Sequence, residues 1–173
     1  MQQMNPKRAV LEIRLPIKNV GSLSVMNTHL SAFAQSSNTM EIQVSQVMDL
    51  MDRGETQRYH HIILGGDFNL LPSSIAYSML DDKGKSYYNP LGTELSPMLE
   101  KFDSIPSLES ITSKHHDDWF TYSPNHISGA LPDRTIDYLF YTKNLAPVSQ
   151  KVRSGDTLLI SDHLPIIGVF VVP

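Results

Sequence analysis

The most informative stretch of this chain is an apolar run that ends in polar residues, His61-Ile62-Ile63-Leu64-Gly65-Gly66-Asp67-Phe68-Asn69. Apolar and polar residues do not alternate within the run, which is typical of a strand buried on both faces. Such a strand would deliver Asp67 and Asn69 into the loop that follows it. The glycines before Asp67 would let the backbone approach a ligand closely. By itself, the segment Gly66–Asn69 is as typical of a plain turn as of a functional loop.

A hairpin is predicted before this run. Leu11–Ile17 alternates apolar and polar residues, which predicts a half-buried strand, and Pro16 favours an edge or a strand end. Leu23–His29 is the second predicted strand of the hairpin. It ends in the polar cluster Asn27-Thr28-His29, so the sequence predicts chemically useful side chains at that strand end.

The last third of the chain is also rich in predicted strands. Thr135–Thr142 is the strongest, and it carries Asp137 among apolar residues. Trp119–Tyr122 predicts a short strand, Val148–Arg153 a weaker one, and Ile166–Val172 the final one. A buried carboxylate needs a partner, so Asp137 is either a functional residue or an edge-strand residue that faces water.

One long helix is predicted between the hairpin and the apolar run. Asn38, followed three residues later by Glu41, is typical of a helix start, and Gly54 of a helix end. A stripe at helical spacing predicts a core face rather than a ligand-binding feature, and it consists of Met40, Val44, Val47, Met48 and Met51.

Residues 81–118 show no regular period and contain Pro90, Pro97 and Pro106. A connection of this length without its own periodicity is usually functional or mobile. We therefore expect substrate-selective loops in this region.

Composition restricts the class of protein. The chain has 173 residues, no cysteine, 14 Lys and Arg against 18 Asp and Glu, and a net charge of −4. These values fit one soluble domain and exclude a disulfide scaffold or a cysteine-based metal centre. The acidic balance argues against tight nonspecific binding to a polyanion. No transmembrane segment is expected, and the compartment stays open.

Four polar clusters lie at or near predicted strands: Asn27-Thr28-His29, Gly66–Asn69, Thr135–Tyr138 and Ser161-Asp162-His163. Sheets hold ligands beyond strand ends, where loops converge. Carboxylate, carboxamide and imidazole groups in such a place suit Mg²⁺ chemistry on an oxygen-rich substrate. Each cluster alone has a plainer interpretation, such as a polar turn at Ser161-Asp162-His163.

The ordered set resembles the endonuclease/exonuclease/phosphatase superfamily, the deoxyribonuclease-I-like phosphohydrolases. The resemblance rests on His29, Gly66–Asn69, Ile136-Asp137-Tyr138 and Ser161–Pro165, in the family's order. Trp119–Tyr122 is similar to the family's Thr-containing strand. The resemblance implies an α+β fold, a four-layer α/β/β/α sandwich.

The resemblance also implies that this sandwich is incomplete at its N-terminal side. The family's domains begin with a strand carrying an Asn and another carrying a metal-binding Glu, and both would precede Leu11. Residues 1–173 are therefore expected to form a single domain that is the C-terminal part of a longer one. A truncated N-terminus would make the absence of a signal peptide uninformative.

The catalytic roles implied by the resemblance fall on five residues. His163 would contact the scissile phosphate, and Asp137 would pair with it and fix its tautomer or charge. Asp67 would orient or activate the attacking water. Asn69 would bind the phosphate or the metal, and His29 would be a second phosphate-contacting histidine.

The metal implied is Mg²⁺ or Mn²⁺, held by Asp162, Asn69 and Asp67. The implied activity is metal-dependent hydrolysis of a phosphoester, of the phosphodiesterase, nuclease or phosphatase type. Nucleic acid, nucleotides, phospholipids and inositol phosphates all remain open as substrates.

Two alternatives follow from the missing N-terminal motifs. The chain could be a catalytically incomplete scaffold that binds a phosphate ligand, or one half of a split enzyme with an N-terminal complementing segment. We expect the isolated chain to be weakly active or inactive.

Overall fold

A five-stranded sheet forms the centre of the computed structural model, which describes residues 7–33, 37–57 and 61–172. Its order is β1-β2-β3-β5-β4, and β2 and β3 are parallel while the other neighbours are antiparallel. The strands are β1 Val10–Ile17, β2 Gly21–His29, β3 His61–Asp67, β4 Asp103–Ile105 and β5 Asp137–Tyr141. The predicted hairpin, buried strand and Asp137 strand are confirmed.

One face of this sheet is covered by the long helix α1, Thr39–Gln57. The predicted methionine stripe is confirmed as a core face, since Met40, Val44 and Met51 are buried against Leu64 and Phe140 of the sheet. The predicted end at Gly54 is wrong, because the helix continues through it to Gln57.

The opposite face is partly covered by a second, two-stranded antiparallel sheet of β6 Ala146–Val152 and β7 Ile166–Val171. Ile105, Tyr141 and Leu145 are buried between the sheets, with Ile166 and Phe170 packed against them. The molecule is therefore the predicted α+β sandwich in partial form.

The irregular region contains more structure than its sequence predicts. The helices α2 Ser74–Ser78, α3 Asp82–Lys85, α4 Ser96–Lys101 and α5 Leu108–Thr112 are short, and β4 joins the sheet edge. Three residues are too few for β4 to show a period. Its position comes from pairing with β5, with Ile105 opposite Leu139.

The predicted strand Trp119–Tyr122 is reduced to isolated bridges at Tyr122, because Trp119 ends a 3-10 helix that begins at His116. In the part of the chain that the structure describes, we find no helix long and apolar enough to cross a bilayer.

Candidate active site

Three of the predicted site residues form one row across neighbouring strands. His29 on β2 is opposite Asp67 on β3, and Asp67 is opposite Asp137 on β5. Residues paired in this way project to the same face of a sheet. We call His29, Asp67 and Asp137 the catalytic row. It lies on the face opposite α1, at the end where β2 and β3 finish.

Asp67 is the central member of the row. Its Oδ1 accepts a hydrogen bond from the backbone N of Asn69 at 2.8 Å, and its Oδ2 accepts one from Asn69 Nδ2 at 3.2 Å. His29 Nε2 lies 3.3 Å from Asp67 Oδ2. Asn69 has a left-handed backbone with φ of 53°, which asparagine tolerates better than most residues. This turn folds the carboxamide back onto the carboxylate.

His163 reaches the row from the loop before β7. Its Nδ1 lies 3.1 Å and 3.0 Å from the two oxygens of Asp137, and Nδ1 must donate because a carboxylate only accepts. Its Nε2 lies 3.8 Å from Asp67 Oδ2. Asp137 thus fixes the ring and directs Nε2 towards Asp67.

Residues outside the predicted set hold this pair in place. The Tyr122 ring packs on the His163 ring with centroids 4.8 Å apart, and Ser161 Oγ accepts a hydrogen bond from the His163 N at 3.1 Å. Thr121 Oγ1 accepts from the backbone N of Asp137 at 3.2 Å. The Trp119–Tyr122 motif carried the signal for Tyr122 and Thr121, but no sequence pattern predicts that Tyr122 would contact His163.

Gly66 has a different role from the one its sequence suggests. A Cβ at this position would lie 1.9 Å from the backbone O of Thr28 on the neighbouring strand. The missing side chain therefore lets β2 and β3 come together, and the close approach is to protein backbone rather than to a ligand.

Three donor atoms lie close enough together to hold a metal ion. They belong to Asp67, Asp137 and His163 and lie within 4.8 Å of one another. Asp162, a predicted ligand, is not a member of this group among the described residues. Its backbone O accepts a hydrogen bond from Ser123 N at 2.8 Å, and Ser161 Oγ donates to its Oδ1 at 3.3 Å.

Electrostatics couple the members of the site. Burial, reinforced by the nearby charge of Asp137, raises the pKa of Asp67 above its ordinary value. The hydrogen bond to Asp137 raises the pKa of His163, against the opposing effect of its partial burial. The site therefore favours a protonated imidazole next to carboxylates.

This arrangement, a partial α+β sandwich with carboxylates and imidazoles gathered at strand ends, defines the class of deoxyribonuclease-I-like proteins. The Endonuclease/Exonuclease/phosphatase family model matches residues 41–163, and the chain belongs to that family. No curated protein matches the chain significantly in sequence.

Solved structures show the same fold at low sequence identity. An endonuclease/exonuclease/phosphatase from Beutenbergia cavernae has a TM-score of 0.63 and 19% identity, over 96% of this chain and 40% of that one. The human Nocturnin catalytic domain with bound sulfate has a TM-score of 0.57 and 18% identity, over 95% and 53% of the two chains.

A third similar structure is the inositol polyphosphate 5-phosphatase domain of SPSynaptojanin, in complex with inositol (1,4)-bisphosphate and calcium. Its TM-score is 0.56 and its identity 16%, over 94% of this chain and 50% of that one. The chain thus spans about half the length, or less, of these three structures.

Proposed function

We propose that the chain supplies the phosphate-contacting part of a metal-dependent phosphoester hydrolase, of the phosphodiesterase or phosphatase type. The observation that carries the proposal is the convergence of the catalytic row with His163 and Asn69. These side chains come from three strands and two loops. The hydrogen bonds that stabilise a strand end do not require two carboxylates and two imidazoles. Their presence together therefore favours a functional role.

In the proposed reaction, Asp67 orients the attacking water and accepts its proton. The water oxygen bonds to phosphorus, and the bond from phosphorus to the departing ester oxygen breaks. Two properties of Asp67 support this role. Its side chain is only 15% exposed, and burial raises its pKa, which makes the carboxylate a stronger base.

His163 is proposed to donate from Nε2 to a phosphate oxygen, with His29 as a second contact to the phosphate. The hydrogen bond from Nδ1 to Asp137 supports this, because it favours the protonated ring, and only that form carries a second N–H at Nε2. The raised pKa of His163 favours the charged ring that would stabilise a phosphoryl oxygen.

The oxygen donors fit a hard divalent cation, since the carboxylates of Asp67 and Asp137 belong to a group within 4.8 Å and the Asn69 carboxamide lies against Asp67. We propose Mg²⁺ or Mn²⁺ at Asp67, with Asn69 and Asp162 as further ligands. When bound, such an ion neutralises charge on phosphate oxygens and lowers the pKa of bound water.

An N-terminal complementing segment is the second part of the proposal. Leu11, Ile13 and Leu15 project from the edge strand β1 on the same face as the catalytic row, and they are exposed. The similar structures are also about twice as long as this chain. A segment supplied from outside residues 7–172 would cover this apolar surface.

The test measures hydrolysis of bis(4-nitrophenyl) phosphate and binding of inorganic phosphate by the 173-residue chain in Mg²⁺ or Mn²⁺. We expect phosphate binding that is lost in His163→Ala and after EDTA treatment. The matched control is His126→Ala, in the 3-10 helix His126–Ser128 and outside the row. We expect the control to bind phosphate as the parent chain does.

The possible outcomes separate the alternatives. Binding with turnover supports an enzyme, and binding without turnover supports an incomplete centre or a binding module. Absence of both, or equal loss in His126→Ala, contradicts the proposal.

A further inference from the structure

A cavity of about 790 Å³ lies beside the catalytic row and is not used by the hydrolysis proposed above. Its walls come from Phe33 after β2, the start of α1, the loop after β3 and residues 85–94. Asn69 belongs to this wall and also donates a hydrogen bond to Asp67. Asn69 is therefore where the cavity adjoins the row, while His29, Asp67 and Asp137 do not line it.

Two aromatic rings meet at the cavity wall. Phe33 and Tyr87 have ring centroids 4.9 Å apart and are tilted by 55°. Phe33 is 70% exposed, so its ring contributes little to the core. Aromatic rings that stay in contact with water beside a pocket form a surface on which a flat ring can stack.

The charges of the cavity argue against a highly phosphorylated ligand. Among the described residues that line it, Lys85 is the only cation, and Glu41 and Glu94 carry the opposite charge. A ligand with several phosphates would need more positive charge than this. Acidic side chains equally disfavour a lipid acyl chain, because burying them against hydrocarbon is unfavourable.

A flat heteroaromatic ring fits both observations. One of its faces can stack on the exposed side of the Phe33–Tyr87 pair, and its ring N–H groups can donate to carboxylate or carboxamide oxygens. Asn38 and Asn89 supply such carboxamides in the cavity wall. The volume lies within the range of ordinary small-molecule pockets.

We propose that this cavity binds the nucleobase of a substrate whose phosphate lies at the catalytic row. The substrate is then a nucleotide, either free or at the end of a single strand. The inference rests on the proposed function, because it takes the catalytic row as the phosphate site. It makes Phe33 and Tyr87 determinants of specificity rather than catalytic residues.

The experiment compares binding of AMP, ribose 5-phosphate and glycerol 3-phosphate to the 173-residue chain in Mg²⁺ by calorimetry. The last two ligands keep a phosphate and lack the base. We expect AMP to bind roughly tenfold more tightly than either, as one stacked base predicts. In Phe33→Ala and Tyr87→Ala the ratio of the affinity for AMP to that for ribose 5-phosphate should fall towards one. The affinity for ribose 5-phosphate itself should stay unchanged.

The matched control is Leu108→Ala, an exposed apolar residue of α5 outside the cavity wall. It should keep the preference for AMP. Circular dichroism of each variant shows whether the fold is retained. Equal affinity for AMP and ribose 5-phosphate, no binding of AMP, or a preference unaffected in both cavity variants overturns the inference.

Failure of the proposed function gives a different pattern. If the chain prefers AMP through Phe33 but hydrolyses no phosphoester, the proposed hydrolysis is wrong and the assignment of the cavity still holds. Hydrolysis without a base preference does the reverse. A short single-stranded oligonucleotide then distinguishes the sources: tighter binding than AMP indicates a strand end, and equal binding indicates a free nucleotide.

Discussion

The two ends of one sheet face differ in what covers them. At the β4–β5 end, Leu145 lies between the two sheets and is 2% exposed. At the β1 end of the same face, Leu11 is 66% exposed, and Ile13 and Leu15 are exposed with it. Both ends carry large aliphatic residues, so composition does not distinguish them. The difference arises because β6 and β7 reach only one end.

The candidate site follows the same gradient. The His29 side chain, nearer the open end, is 58% exposed, whereas that of Asp67 is 15% exposed. Asp137 is bound to His163, which comes from the loop that precedes β7. The covered end therefore gains His163 from the loop that leads into the second sheet, whereas His29 at the open end lies on β2 and contacts Asp67 of the same sheet.

The largest expected effect is at the seam between β2 and β3, which joins the two ends. Gly66→Ala would place a Cβ 1.9 Å from the backbone O of Thr28. Both atoms belong to or are attached directly to paired strand backbone, so neither can move aside easily. We expect a loss of about 4 kcal/mol or more in the free energy of unfolding, measured by urea denaturation. The control is Gly155→Ala, where a Cβ meets nothing within 4 Å. Similar stabilities of the two variants would contradict this account of the seam.

Matched leucine truncations test the comparison directly. Leu145→Ala should destabilise the chain by about 3 to 5 kcal/mol, because it leaves a cavity between the sheets. Leu11→Ala should change the unfolding free energy by less than about 0.5 kcal/mol, because its side chain is already in water. Urea denaturation of both variants measures the difference. Equal losses would show that the open end is covered in solution.

A smaller, pH-dependent effect is expected from the pair at the covered end. Asp137 raises the pKa of His163 in the folded chain above the unfolded value. The pair therefore stabilises the fold below the ordinary histidine pKa, and this contribution is lost as the pH rises through the raised value. We expect the His163 pKa, measured by NMR in EDTA, to fall in Asp137→Asn.

Denaturation at about pH 5.5 and about pH 8.5, on either side of the ordinary histidine value, measures the same linkage. The stability advantage of the parent chain over Asp137→Asn should be larger at the lower pH. If the stability advantage of the parent chain instead grows with pH, the change has the wrong sign. The Asp137–His163 hydrogen bond would then not be what raises the His163 pKa.

The sequence predicts the elements that have a period of their own. The alternation in Leu11–Ile17 and the stripe in α1 are local signals, and both elements are found. The structure brings His29, Asp67, Asn69, Asp137 and His163 of the ordered polar motifs together, while the roles expected for them stay predictions. Nothing local predicts β4, since it has only three residues, or the contact of Tyr122 with His163, since these residues are 41 positions apart (163 − 122).

Alternation also misled in one respect. It predicted that the apolar side of β1 would be half-buried, but Leu11, Ile13 and Leu15 are exposed. The pattern reports which residues share a face. Whether another element covers that face depends on distant parts of the fold, and β6 and β7 do not extend to β1.

The smallest expected effect is that of a charge on the open end. Ile13 lies in one row with Val25 and Ile63, yet it is exposed while Ile63 packs against the buried cluster between the sheets. Ile13→Lys should leave the unfolding free energy within about 0.5 kcal/mol of the parent chain. It should also reduce self-association, measured by light scattering, because a lysine on an exposed apolar edge opposes pairing.

Ile63→Lys, the control in the same row, should destabilise the chain strongly, since its charge would have to enter the space between the sheets. If Ile13→Lys is as harmful as Ile63→Lys and the parent chain sediments as a dimer, a second copy covers β1. The open end would then be an interface, and a complementing segment would have to compete with that copy.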